Sequence, residues 1–583
     1  MRKISFLYII LFLHQSVTYS QETTLYDLEW ATYLPNPSSQ LFNGIIGNTP
    51  EGGSYCYFRQ GYNVPNAFDF DSWLTGDAYY TEPYAFDNSE IISNNFWIKI
   101  DANQNLEYGS YLEPISGGFN LVAASGESFW LSGTVIEAGI GTAGVNQEFY
   151  SGNTHTTVIA LPDGTEFETT TDASDGIIIK YNGNHQKEWG TYLSGDNQHT
   201  FINNSWVYNN TLYFSGTSGA TSGLTTPNAP LPIPLLLNGN VLDYFIGAMD
   251  MDANLLWLTY THQKHVAPII DSNGNIYGFS AHPKINVFNN QGLFMVDYDR
   301  PADVQKMYIS PDDKIYFLGE TSLNEGIATA GVFKATKTAD KEAFVLCYDL
   351  NFNKLWGTYL GQIETDNYYY YENPTRTLEH ITFDENNHIT VGFPTTTLGM
   401  AEETAHQTDI AGTSDFFIIS MDENGNRNWS TYFGGEEKET YLNTISYDED
   451  NNLYIGGRTH SQTGIATAGA LIEAPQAPVI GQYGEPFLAK FIPTKSSSIN
   501  DFEKKMFNIY PNPTSDALLV NALSNEDITQ AKIYDLSGKL LLHLTFANHL
   551  AQQQIAVEHL ANGMYIIEIF STNSKQQMKF FKE

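Results

Sequence analysis

The chain reads as an all-β protein: a seven-bladed β-propeller, with six blades as the alternative, followed by a small C-terminal β-sandwich. Three observations predict this. A short aromatic strand motif recurs six times, paired hairpins fill the intervals between its copies, and the repeat is cut so that a lone last strand stands at the N-terminal end. Composition agrees, with 35 Phe, 37 Tyr and 9 Trp beside clusters of Gly and Asn. Rings fit a pleated surface, and Gly and Asn tolerate tight reversals.

The motif is aromatic-x-[Ser/Thr]-Tyr. Its copies are Trp30-Ala-Thr-Tyr33, Tyr108-Gly-Ser-Tyr111, Trp189-Gly-Thr-Tyr192, Trp257-Leu-Thr-Tyr260, Trp356-Gly-Thr-Tyr359 and Trp429-Ser-Thr-Tyr432. Every copy after the first follows another apolar run across a polar turn, as in IIIKYNGNHQKEWGTYL and FFIISMDENGNRNWSTYF, which is a hairpin pattern. A second hairpin type precedes each pair, as in MYISPDDKIYFLGET and ISYDEDNNLYIGGRT, so each unit supplies four strands. The copies stand 78, 81, 68, 99 and 73 residues apart. The 99-residue interval holds two hairpins of the second type with KINVFNNQGLFMVDYD between them, a degenerate pair that raises the count from six to seven.

The phase of the repeat predicts closure. The segment from Trp30 to Leu34 is a lone fourth strand, and the last repeat stops after its third, Phe487 to Ile492. An open array gains nothing from such a cut, whereas a ring hides two edges by pairing them. No long segment carries a helical period.

The ends carry different signals. Arg2 and Lys3 precede the apolar run Ile4 to Leu13 and the small-residue site Thr18-Tyr19-Ser20, so residues 1–20 read as a signal peptide with Gln21 first in the exported chain. Ten apolar residues are too few for a spanning helix, which needs about 20. Residues 21–492 form the propeller, 493–503 a Ser-rich linker and 504–583 the terminal sandwich. The net charge of −38 falls almost wholly on the middle, because residues 503–583 hold 8 acidic and 7 basic side chains. Such a surface repels phosphate backbones and speaks against nucleic acid as a partner. Two cysteines, Cys56 and Cys347, are too few for a disulfide framework.

The paired hairpins and the Gly-Ile-[Ala/Gly]-Thr-Ala-Gly segments at Gly139, Gly326 and Gly464 resemble the β-propeller repeats of secreted Bacteroidetes proteins, over about residues 28–492. The C-terminal segment resembles the type A sorting domain of the Bacteroidetes type IX secretion system. The matching residues are Tyr510-Pro511-Asn512-Pro513, Ile533-Tyr534-Asp535 with Gly538, Gly563-Met564-Tyr565, and Lys579-Phe580-Phe581-Lys582. This resemblance implies passage across the outer membrane by the type IX machinery, acting on residues 504–583, and a secreted or cell-surface location.

No catalytic motif stands out: His-Glu-x-x-His, Gly-x-Ser-x-Gly and phosphate loops are all missing from the sequence. His262 and His265 are read as solvated loop residues. Asp271-Ser-Asn273-Gly274-Asn275 and Asp422-Glu-Asn424-Gly425-Asn426 open like calcium loops, but no acid stands at the twelfth position. They are read as hairpin turns, and no cofactor is expected, calcium being the alternative. The long connections of a propeller emerge on one face, and two of them are rich in rings and acids: 68–84, with Trp73, Tyr79 and Tyr80, and 366–372, with Tyr368, Tyr369, Tyr370 and Tyr371. Rings beside carboxylates suit stacking on sugars or a protein partner. The expectation is a noncatalytic binding protein for glycan or protein, acting in adhesion or capture. The rival is a glycan-active enzyme built on Asp69, Asp71, Asp77 and Asp366, and a third reading is a structural surface role.

Overall fold

The computed structural model describes residues 25–583, apart from 36–44, 49–51, 60–69, 83, 86–91, 94, 114, 124–127, 137, 161–165, 197, 236–241, 262–267, 280–282, 365–380, 476–483, 495–506, 523–526, 536–538 and 572–574. The chain divides into two compact units, Met1–Lys495 and Ser496–Glu583. The signal-peptide, linker, His262/His265 and Tyr368–Tyr371 expectations lie wholly or largely outside the described residues.

Among the described residues the first unit contains seven four-stranded antiparallel sheets, beside two two-stranded ones, Tyr84–Ala85 with Ile92–Ser93 and Thr154–Ala160 with Glu166–Asp172. Sheet 1 comprises Ile45–Asn48, Gly53–Arg59, Asn95–Asp101 and Leu106–Tyr111; sheet 2, Ser116–Ala123, Phe129–Val135, Asp175–Tyr181 and Lys187–Leu193. Sheet 3 is Thr200–Tyr208, Thr211–Ser218, Asp243–Asp250 and Leu255–Tyr260; sheet 4 is Ile269–Ile270, Ile276–Phe279, Lys284–Phe288 and Phe294–Asp299. Sheet 5 is Val304–Ile309, Ile315–Thr321, Glu342–Tyr348 and Lys354–Gly361; sheet 6 is Ile381–Phe383, Ile389–Thr395, Asp415–Met421 and Arg427–Phe433. Sheet 7 takes Glu439–Tyr447, Leu453–Thr459 and Glu485–Thr494 from the end of the unit and its fourth strand, Leu25–Tyr33, from the beginning. That strand is antiparallel to Glu485–Thr494, with Ala31 opposite Ala489 and Tyr33 opposite Phe487.

The turns explain why these segments fold back. In 101–105, 250–254, 271–275, 349–353, 422–426 and 448–452 an Asp Oδ1 accepts the N–H groups two and four residues on, and the Asn at the fifth position donates to the other carboxylate oxygen. The residue before that Asn adopts a positive φ, a conformation available to Gly274 and Gly425 without strain. The Asn353 side chain, foremost, and backbone N–H groups hold the Asp349 carboxyl below its usual range.

Successive sheets bury their faces on one another, so strands such as Asp415–Met421 are apolar on both sides. Tyr55 and Trp97 of sheet 1 pack with Leu131 and Ile177 of sheet 2, and Phe416 and Ile418 of sheet 6 with Ile455 and Ala489 of sheet 7. Tyr454 and Leu488 of sheet 7 share a buried cluster with Cys56 and Ile98 of sheet 1. Both cysteines are free and buried, and burial pushes the Cys347 thiol up to about 12.

The second unit contains a three-stranded sheet, Phe507–Tyr510, Ala517–Ala522 and Gln552–Ala556, and a four-stranded sheet, Ile528–Tyr534, Leu540–Leu550, Gly563–Ser571 and Lys575–Lys582. They enclose a core that includes Phe507, Leu518, Val520, Ile533, Ile567 and Phe580.

Candidate binding face

Each residue of the recurring motif has a separate task in holding the connection between the second and third strands against the fourth. In sheet 2 the Tyr192 N–H donates to the Gln147 carbonyl at 3.0 Å, Thr191 Oγ1 accepts the Gln147 N–H at 3.0 Å, and the Tyr192 hydroxyl accepts the Ile140 N–H at 3.0 Å. The same Tyr N–H bond is made by Tyr33 to Ile472, Tyr111 to Tyr80, Tyr260 to Leu231, Tyr359 to Lys334 and Tyr432 to Gln407. Gly is required before the Thr or Ser where the connection crosses closely. A Cβ at Gly357 would lie 2.2 Å from the Ile327 carbonyl oxygen, and one at Gly109 would lie 1.9 Å from that of Trp73. The Trp reaches the next sheet: Trp189 Nε1 donates to the Met251 carbonyl at 3.0 Å and Trp356 Nε1 to that of Glu423 at 2.9 Å.

A carboxylate at the start of the third strand secures the far end of the connection. Asp175 accepts the Ser151 N–H and hydroxyl, each at 2.7 Å, and Glu342 accepts the Thr338 and Ala339 N–H groups and pairs with Lys334 at 2.6 Å. Sequence reasoning missed this task, although an acid stands there in Asp175, Asp243, Glu342, Asp415 and Glu485. The long connections are thus pinned at both ends on a uniform frame, the arrangement on which recognition loops are carried.

The rings singled out in 68–84 separate on this frame. Trp73 is a core anchor, only 8% exposed, packed with Phe70 and Phe96; its carbonyl crosses Gly109, as that of Ile327 crosses Gly357. It was grouped with ligand-stacking rings because a single sequence does not distinguish a ring that packs a loop down from one that faces out. Tyr80 is half-buried and donates its hydroxyl to Glu113 Oε1 at 3.0 Å, while its N–H donates to Ser110 Oγ at 2.9 Å. Tyr79 is the exposed ring, 37% accessible. The Tyr108 hydroxyl fixes its N–H at 2.9 Å, and its ring stands edge-on to Tyr80 and Tyr181 at 4.7 and 6.4 Å.

Glu113 beneath these rings went unnoticed in the sequence. It is 3% exposed, accepts the hydroxyls of Tyr80 and Tyr181, and lies 3.4 Å from Lys187 Nζ. These partners satisfy the buried carboxyl oxygens and tie the 70–80 connection to sheet 2. Nearby, His185 stacks on Tyr108 at 4.0 Å with Nε2 3.1 Å from the Tyr55 hydroxyl, and burial lowers it to about 4, so it is neutral at physiological pH. Of the four carboxylates of the enzyme reading, Asp71 accepts the Tyr111 hydroxyl at 3.3 Å and Asp77 is exposed farther along the same connection. Asp69 and Asp366 lie outside the described residues. A recess of about 370 Å³ opens between the pinned connections of sheets 2 and 3, lined by Gln147, Ser194, Leu224, Thr225 and Leu255. Among the described residues no group of three or more His, Cys, Asp or Glu side chains is placed to hold a metal ion.

In the second unit two sequence motifs meet. Asn512 Oδ1 accepts the Phe581 N–H at 2.9 Å and its Nδ2 donates to the Lys579 carbonyl at 3.2 Å, joining Tyr510-Pro-Asn-Pro to the final strand.

Comparison with known proteins bears on both units. Residues 508–583 match the family model described as a secretion system C-terminal sorting domain, and residues 428–463 match that of a beta-propeller repeat. No curated protein matches the chain. Among solved structures, BamB from Moraxella catarrhalis is similar at 10% identity and a TM-score of 0.32, covering 80% of this chain and 98% of its own. A subtype N10 neuraminidase-like protein of a little yellow-shouldered bat strain is similar at 7% identity and a TM-score of 0.29, covering 81% and 99%. Among the described residues no helix is long and apolar enough to cross a membrane. The two family matches identify the chain as a secreted or cell-surface protein of β-propeller repeats that carries a type IX C-terminal sorting domain.

Proposed function

We propose that this is a noncatalytic binding protein, which captures glycan or protein on the face formed by the long connections, and that its scaffold is a seven-bladed ring closed by Leu25–Tyr33. The observation that carries the binding reading is the uniform anchoring: connections of different length and sequence are held by the same bonds to the fourth strand. Variation is thereby directed to one face while the frame stays constant. Tyr79, an exposed ring whose backbone and edges are both fixed, is the described residue best suited to stack on a sugar or seat a partner's side chain. Tyr80 supports it from below, and Tyr368–Tyr371 are the further rings proposed for the same face.

Closure is supported by repetition at the junction. Trp30 Nε1 donates to the Ala102 carbonyl of sheet 1 at 3.0 Å, the bond that joins sheet 2 to sheet 3 and sheet 5 to sheet 6. Lys490 pairs with Glu29 at 2.6 Å beside it.

A glycan array, followed by a screen against extracellular proteins, tests the binding reading with the full chain and its Tyr79→Ala variant. Binding of one ligand class is expected, about tenfold weaker in the variant, which corresponds to a loss of about 1.4 kcal/mol. Turnover of polysaccharide at an enzymatic rate would overturn the noncatalytic assignment. Binding indifferent to Tyr79 would move the site elsewhere.

A further inference from the structure

Six of the seven sheets cover the edge of their fourth strand with their own connection, through the Tyr N–H bond described above. Sheet 4 does not. Its link between second and third strands is residues 280–283, whereas 396–414 of sheet 6 is the shortest such connection elsewhere. Among the described residues no backbone group bonds to the outer edge of Phe294–Asp299.

The side chains differ to match. Counting from the corresponding turns at Asn182–Gln186 and Asn289–Leu293, Val296 stands where sheet 2 has Trp189, and Asp297 and Asp299 stand where it has Gly190 and Tyr192. Val296 is 41% exposed where Trp189 is 8%, and with Leu293, Phe294 and Met295 it forms four consecutive residues each at least 41% exposed. The N–H groups of Gly190 and Tyr192 point to the capping connection, so those of Asp297 and Asp299 point outward. A bare edge that begins with an exposed apolar run is a template for another strand.

We propose that this edge pairs with the same edge of a second copy of the chain, antiparallel about a two-fold axis. Charge selects this place. At −38 two copies repel over most of their surface, but residues 293–296 carry no charge, and beyond them Lys284 pairs with Asp297, at 3.1 Å, and Asp299, at 2.8 Å, leaving one net negative charge among the three. Register selects the partner. Pairing about Met295 sets Phe294 beside Val296 of the other copy on both sides of the axis and places Asp297 opposite Leu293, so that no acids face each other. A single added strand pair makes a small interface, so the dimer is weak and forms in the micromolar range.

Sedimentation equilibrium of the full chain over a wide concentration range tests this, with Met295→Lys and Asp297→Pro as variants. Met295 is exposed, and the Asp297 N–H points away from its own sheet, so both variants keep the fold. Concentration-dependent dimers are expected, weakened about tenfold or more by either variant and strengthened by added salt as the net charge is screened. A wild-type chain that stays monomeric overturns the proposal, even if its 293–299 amides are protected by a different occupant. So does a dimer that ignores both substitutions or dissociates in salt.

Discussion

Removal of residues 25–33 is expected to abolish cooperative folding of the first unit rather than trim one sheet. The strand places Tyr26, Ala31 and Tyr33 in the cluster shared with Phe416, Ile418 and Phe487, and Trp30 in the cluster shared with Cys56, Phe96 and Tyr454. Each large side chain contributes about 1.5–3 kcal/mol by burial. Tyr26, Trp30 and Tyr33 together therefore contribute about 4.5–9 kcal/mol, comparable to the whole stability of an ordinary domain, about 5–15 kcal/mol. The loss also bares the edge of Glu485–Thr494 and releases the Thr467 and Ile472 N–H groups, which now bond to Ala31 and Thr32. Thermal unfolding followed by near-ultraviolet circular dichroism checks it: no sharp transition is expected for the shortened chain, and an unchanged one counts against closure.

The second large effect concerns pH and Glu439. This side chain is fully buried at the start of sheet 7, where Oε1 accepts the Gly435 N–H and the hydroxyls of Thr459 and Ser461, while Oε2 has no hydrogen-bond partner. Burial raises its carboxyl from 4.5 to about 7, with the Asp415 carboxylate adding to the rise, and the three donors oppose it. The folded state therefore binds a proton that the unfolded state releases. Stability from this group is present below about 4.5, falls as pH rises, and is lost above about 7. The stability gap between wild type and Glu439→Gln, which mimics the protonated acid, should shift in favour of the variant between acid and mildly alkaline buffer by on the order of 3 kcal/mol. Urea unfolding of both proteins at the two pH values measures the shift, and a gap independent of pH would contradict it.

Local chemistry was legible in the sequence, and long-range chemistry was not. The Asp-x-Asn-x-Asn turns announce themselves because the bonds that close them lie within five residues. KINVFNNQGLFMVDYD was recognisable as a strand pair for the same reason, but not as a pair whose last strand is bare, because its missing cover is a deletion elsewhere in the repeat. The Trp-x-Thr-Tyr pattern gave the position of each fourth strand without explaining itself. Its Thr and Tyr answer to a connection some 24 to 52 residues earlier, as Thr191 does to Gln147 and Tyr192 to Ile140, and only the folded chain brings them together. Trp73 and Tyr79 stand six positions apart in one ring-rich run, yet one seals the loop and the other faces out. Glu113 carries no motif at all and becomes notable only when Tyr80, Tyr181 and Lys187 converge on it.

Every statement about a single loop-bearing face depends on the ring being closed by its N-terminal strand. Ala31 and Ala489 are directly opposed, and the Ala31 N–H and carbonyl turn away from the partner strand towards Thr467, which leaves the two as a non-hydrogen-bonded pair of close approach. Cysteines at both positions, in a chain whose Cys56 and Cys347 are buried and free, test the pairing directly. The account predicts a disulfide that forms in full on mild oxidation of the folded monomer and joins the two ends of the unit within one chain. Free thiols at both positions in a folded protein, or cross-links only between chains, would contradict it.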